Sequence, residues 1–280
     1  MIKTIEFRGK GKWKPMVMNQ GKFDRDLIEK INSIISTNYS KCKKLVDDSK
    51  LKIVVEFDSD KRFEARYTDE KEIIYLALWV YYLEDSGITI FNHKERILLE
   101  EITHFIDNKI NFSANKEFIK AMQNERLNDT NSNADKLFQF VYLMAFTFDE
   151  DLGFGTRHWA SMIDTCNDSY ISSLPIFKRI PSVLWHRKSI KENLPIKSSM
   201  PILAKEYLFD LIIARKAIEK YKRNPKCLEK IYVADKEQKK HIKPIIEELG
   251  LNRIKSTDEM LEEIVPKSYK FLIDFDKKVK

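Results

Sequence analysis

The chain has 280 residues, 43% of them hydrophobic and 33% charged, with a formal net charge of +7 and only seven glycines and eight prolines. That length supplies one large domain or two modest ones with ample core material, and the composition argues against long disordered stretches. No apolar run reaches the roughly 18 residues of a membrane helix, and the opening residues, MIKTIEFRGKGKWKP, lack the apolar stretch of a signal peptide.

Cys42, Cys166 and Cys227 are widely spaced and form no CxxC pair, so a disulfide framework is not expected. A reducing, cytoplasmic setting is the simple reading, with export by a signal-less route as the alternative. The charge is uneven. Residues 181–280 carry 23 Lys/Arg against 15 Asp/Glu, a net +8, while the rest of the chain is nearly neutral. A basic third of this kind suits contact with a polyanion. Its lysines are mixed with acids, as in KEQKKHIKPIIEEL, which also fits an ordinary solvated surface.

Residues 24–47 place Leu27, Ile31, Ile34 and Ile35 at helical spacing, with Asp24 as the expected N-cap. LKIVVEF (51–57) and FEARYT (63–68) read as strands, separated from the next run by the polar turn DEK at 69–71. EIIYLALWVYYL (72–83) begins as a strand and is ambiguous in its second half. Asn92 is placed to cap a helix over about 93–109. Residues 116–148 read as largely helical, interrupted by LNDTNSNAD (128–135), and 151–170 as a glycine-rich turn followed by helix. Pro175, Pro181, Pro195 and Pro201 punctuate a wrapping segment. PILAKEYLFDLIIARKAIEKYKR (201–223) is a helix with proline at its start and cations at its end. Beyond Pro225, CLEKIYVAD reads as strand, EQKKHIKPIIEELG as helix stopped by Gly250, and YKFLIDFD as strand or helix. The expected organisation is a domain over residues 1–224 and a small basic α/β subdomain or packed tail over 225–280.

Within the 93–109 helix, LLEEITHFID carries the chemistry. At about 100° per residue, His104 falls about 40° from Glu100, Asp107 about 20° to the other side, and Glu101 about 100° round. Leu98, Ile102, Phe105 and Ile106 gather mostly elsewhere, as a core stripe does. Glu100 and His104 can therefore aim at one point with Glu101 beside it. This is the geometry of H-E-x-x-H, in which the i and i+4 side chains hold zinc and the intervening Glu is general base. Only the first residue differs, glutamate for histidine. The alternative is an ordinary amphipathic helix with an acidic, solvated face. A di-iron bundle, which needs paired E-x-x-H motifs, is disfavoured: the chain has one such motif and a β-rich segment before it.

The order of helix, strands, aromatic-rich strand and then EEITHFID resembles the zincin metallopeptidases, and is most similar to the catalytic domain of anthrax lethal factor and its relatives. The resemblance implies an α+β, zincin-like fold with a small mixed N-terminal sheet packed on the motif helix and a mostly helical second half. It also implies a third ligand from a later helix of the form E-(F/Y)-apolar-apolar-(D/E), which Glu206-Tyr207-Leu208-Phe209-Asp210 matches. The expected site then has Glu100, His104 and Glu206 as metal ligands, Glu101 as catalytic base, and Asp107 and Asp210 as supporting acids. His158 and His186 are reserve ligands for the missing imidazole. The implied cofactor is zinc, with Mn or Fe admitted by the oxygen-rich set. The implied activity is a metal-dependent hydrolase acting on a protein or peptide. The alternative is an inactive zincin-like module that binds protein or nucleic acid. The family's tyrosine, seven residues before the third ligand, falls on Ser199, leaving Tyr207 or Tyr170 as possible substitutes. A Cys166–His158 thiol site has no accompanying signature.

Overall fold

The strand sequences KIVVE and IIYLA are apolar at successive positions, which suits strands covered on both faces rather than one. In the computed structural model, which describes residues 2–9, 20–56, 65–82, 93–127, 133–145, 196–226 and 243–280, they are the two inner strands of a four-stranded sheet. The strands are β1 (Ile5–Arg8), β2 (Lys52–Glu56), β3 (Ala65–Thr68) and β4 (Ile73–Ala77), in the order β1-β2-β4-β3. β1 and β4 run parallel to β2, and β3 is antiparallel to β4. Ile53, Val54, Val55, Ile74, Tyr75, Leu76 and Ala77 are all buried. The described chain is thus mixed α+β, with a small sheet and a mostly helical remainder.

Two units divide the chain. The first comprises residues 1–87, 92–111 and 275–280. Its helix α1 (Gln20–Asn38) lies between β1 and β2 in sequence and buries Leu27, Ile31, Ile34 and Ile35, the four residues expected from the spacing. Asp24 lies inside α1 rather than at its cap, and its carboxylate accepts from the Tyr81 hydroxyl at 2.7 Å. The chain continues through a short 3₁₀ turn into α2 (Lys43–Asp48). The ambiguous half of the long apolar run is α3 (Leu78–Tyr82), and the motif helix is α4 (His93–Ile110). Asn92, the expected cap of α4, lies outside the described residues. β1 was not anticipated, although the alternation of IEFR is a half-buried strand pattern.

Helix α4 is tied to the sheet and to α1 by named contacts. Tyr67 on β3 meets Phe105 edge-on at 5.8 Å and accepts from Asn108 Nδ2 at 3.3 Å. Lys109 pairs with Glu72, whose backbone sits in the left-handed region at φ 52°. That unfavourable conformation is held by three contacts at Glu72: its carbonyl accepts from Lys52 N–H, and its carboxylate accepts from Lys50 N–H and Lys109. The Lys109 hydrogen bond holds the Glu72 carboxyl below the usual range. On the other side the Tyr39 hydroxyl lies 2.5 Å from Thr103 Oγ1, which itself donates to the Leu99 carbonyl.

Burial pushes the Tyr39 phenol well above the ordinary tyrosine range and raises Tyr67 to about 12. Both keep their protons in the folded chain after an unfolded tyrosine, near pH 10, has lost its own. The contribution of these two residues to stability should therefore be level below pH 10 and fall as pH rises from about 10 to about 12 through Tyr67, and beyond that through Tyr39. Urea midpoints measured from about pH 8 to 11 check this. A profile that stays flat to pH 11 would refute it.

The second unit comprises residues 88–91 and 112–274. Its helices are α5 (Lys116–Met122), α6 (Asn133–Ala145), α7 (Ile196–Arg223), α8 (Thr257–Ile264) and most of α9 (Pro266–Val279), with a helical segment at 243–248. Phe118 is the aromatic hub, with ring centroids 5.9 Å from Phe112, 5.8 Å from Tyr207 and 5.5 Å from Phe271. Helix α7 begins five residues before Pro201, which sits in its second turn and forgoes one backbone bond. Proline disfavours helix at the residue before it, so a reading from spacing stops there. Gly250 terminates the 243–248 helix at φ 65°, as expected. YKFLIDFD is helical, within α9. The expected strand at 227–235 and the expected features of 151–170 lie outside the described residues.

Between α5 and α6 a wide helical turn, Gln123–Leu127, places Glu125 against the start of α9. Its carboxylate accepts from Lys267 N–H at 2.5 Å, from Ser268 N–H at 3.1 Å, from the Ser268 hydroxyl, and from the Tyr207 hydroxyl at 3.2 Å. An acidic side chain here satisfies the otherwise unpaired amides of a helix N-terminus.

Candidate metal centre

Helix α4 segregates its residues as the 100° spacing requires. Leu98, Ile102, Phe105 and Ile106 are fully buried, while Arg96, Glu100 and His104 follow one another at i, i+4 and i+8 on another face. Arg96 Nη1 donates to Glu100 Oε2 at 2.8 Å, the Arg96 side chain being 7% exposed and that of Glu100 24%. Glu101 is 6% exposed and Asp107 1%. Acids this enclosed are retained only with partners.

Glu206 lies on α7 between Lys205 and the fully buried Tyr207. One ligand atom each from Glu100, His104 and Glu206 lies within 4.8 Å of the others. Glu100 and Glu206 are partly exposed. The structure thus brings together the three residues expected as ligands. Asp210, one turn beyond Glu206, is 6% exposed. His158 and His186, the reserve ligands, lie outside the described residues, as do Cys166 and Tyr170.

Two carboxylates and one imidazole form a donor set that suits Zn, and equally Mn or Fe. Three protein ligands leave positions open for water or substrate, as catalytic rather than structural zinc sites do. The set is chemically fit for a divalent cation: it offers two carboxylates and an imidazole, and the Glu100 carboxylate also holds the Arg96 guanidinium.

Tyr207 does not serve as the substitute hydroxyl. It is fully buried, and its hydroxyl donates to Glu125 and lies 3.0 Å from Ser268 Oγ. Arg215 pairs with Asp258 at 3.3 Å. Arg96 was missed by the sequence reading, although an Arg four residues before a Glu on a helix is a readable pair. In the basic third, Lys222 donates to the Arg253 and Lys255 carbonyls, and Arg253 and Lys255 both pair with Glu263. Part of that charge is therefore engaged internally. Among the described residues no helix is long and apolar enough to cross a membrane.

No family model matches the chain, and no curated protein or solved structure matches it either.

Proposed function

We propose that the chain is a metal-dependent hydrolase, a peptidase of zincin type, with Glu100, His104 and Glu206 as ligands and Glu101 as general base. The observation that carries this reading is the grouping of those three donors within 4.8 Å. It is supported by the sheet, whose outer strand β3 is antiparallel and packs beside α4. When bound, a divalent cation would polarise a substrate carbonyl and acidify water. Glu101 takes the proton from the attacking water on a carboxylate oxygen and returns it to the leaving amine. Its burial keeps that exchange away from bulk solvent. Glu100 in place of an imidazole adds negative charge to the cation, which lowers its acidity toward water and shifts preference toward oxygen-seeking metals.

A second reading, a zincin-like fold that binds a partner without turnover, is favoured by one observation. Tyr207 is committed to the core, so no tyrosine hydroxyl among the described site residues is positioned for a developing oxyanion.

Metal addition to the purified protein should raise its melting temperature by several degrees at a hundredfold excess over Kd, a stabilisation of about 2.7 kcal/mol. Glu206→Gln should remove the shift, and Glu100→His should strengthen the response to zinc. Absence of any metal response in both wild type and Glu100→His would dispose of the site. A metal response without hydrolysis of a peptide mixture would leave the second reading.

A further inference from the structure

We propose that Arg96 is the resident cation of this centre: it competes with the metal for Glu100 and sets the free metal concentration at which the site loads. The inference rests on Glu100 being a ligand, as argued above. Arg96 stands one helical turn before Glu100 and two before His104, so it belongs to the same stripe of α4. Its guanidinium holds Glu100 Oε2 at 2.8 Å, and Glu100 also supplies a ligand atom to the cluster. With the arginine side chain only 7% exposed, this is not a solvent-screened surface pair.

Two opposite effects follow from that placement. A guanidinium can orient a ligand carboxylate, which is commonly worth about 10–100-fold in metal affinity. It also draws charge from that carboxylate and repels the incoming divalent ion. Glu100 sits in the middle of α4 with its backbone set by the helix, so what the guanidinium can orient is confined to the side-chain torsions. The repulsion acts on both charges of the ion, and the guanidinium that exerts it is itself almost fully enclosed. Competition therefore outweighs orientation. By linkage, whatever weakens the metal's hold also makes the metal-free chain less dependent on it. Arg96 neutralises Glu100 when no metal is bound.

The test compares wild type, Arg96→Lys and Arg96→Gln by calorimetric titration with Mn²⁺ and by the metal-induced shift in melting temperature. Arg96→Gln is expected to bind at least tenfold more tightly and to show a larger shift than wild type. Arg96→Lys, which keeps the charge, should stay close to wild type. Equal or weaker binding by Arg96→Gln overturns the proposal, because the guanidinium would then be orienting the ligand. Should Arg96→Gln fail to fold, the Arg96 side-chain ¹⁵N resonance of the wild type decides. Displacement during a zinc titration supports competition, and an unmoved resonance in metal-loaded protein refutes it. If neither wild type nor variant takes metal, the ligand assignment itself has failed, and this inference with it.

Discussion

Glu101→Gln is expected to lower peptide hydrolysis by about 10²–10⁴-fold while leaving bound metal unchanged. The glutamine keeps the volume and one acceptor oxygen but cannot take a proton at neutral pH. Glu101 is offset by about 100° on the helix from Glu100, beside the cluster rather than within it, so its loss should not disturb the donor set. The folded state should be unaffected or slightly steadier, because a side chain only 6% exposed no longer carries charge. Turnover of a peptide mixture by mass spectrometry, with metal content measured on the same sample, separates the roles. Loss of turnover with loss of metal would make Glu101 a ligand. Unchanged turnover would remove the base from the proposed chemistry.

The second large effect concerns stability. Glu125→Ala should cost about 3–5 kcal/mol, at the upper end of what single substitutions do. The carboxylate is 9% exposed and receives four donors: Lys267 N–H, Ser268 N–H, the Ser268 hydroxyl and the Tyr207 hydroxyl. Alanine removes the acceptor and leaves the buried Ser268 and Tyr207 donors where water replaces it poorly. It also removes a negative charge from the positive end of a helix dipole. The damage should spread to Phe118, because Tyr207 and Phe271 both pack on that ring. Glu125→Gln, which keeps an acceptor oxygen, should lose roughly half as much. Urea unfolding gives the comparison. A loss below about 1 kcal/mol for alanine would mean that the cap is dispensable.

Local spacing carried a good part of the fold. The β-branched runs at 52–56 and 73–77 are strands, and the apolar periodicity of 93–110 is a helix in the expected register. Both patterns follow from the 2.0 and 3.6 periodicities of side-chain direction, which need no knowledge of neighbours. The same periodicity put Glu100 and His104 on one face. Short segments were less legible. IEFR is only four residues, and its strand depends on pairing with β2. YKFLIDFD suits either period, and became helix in a chain stretch whose N-terminus Glu125 caps.

Contacts between segments distant in sequence lay outside any spacing rule. The EYLFD motif named Glu206, but its approach to His104 joins residues about a hundred positions apart. Tyr207 could be read as a site hydroxyl until its bonds to Glu125 and Ser268 placed it in the core. Local propensity reports only which way each side chain leaves its own helix or strand. Which partner it then meets is settled by how the elements bury their apolar faces, and within the second unit that packing gave Tyr207 to the core.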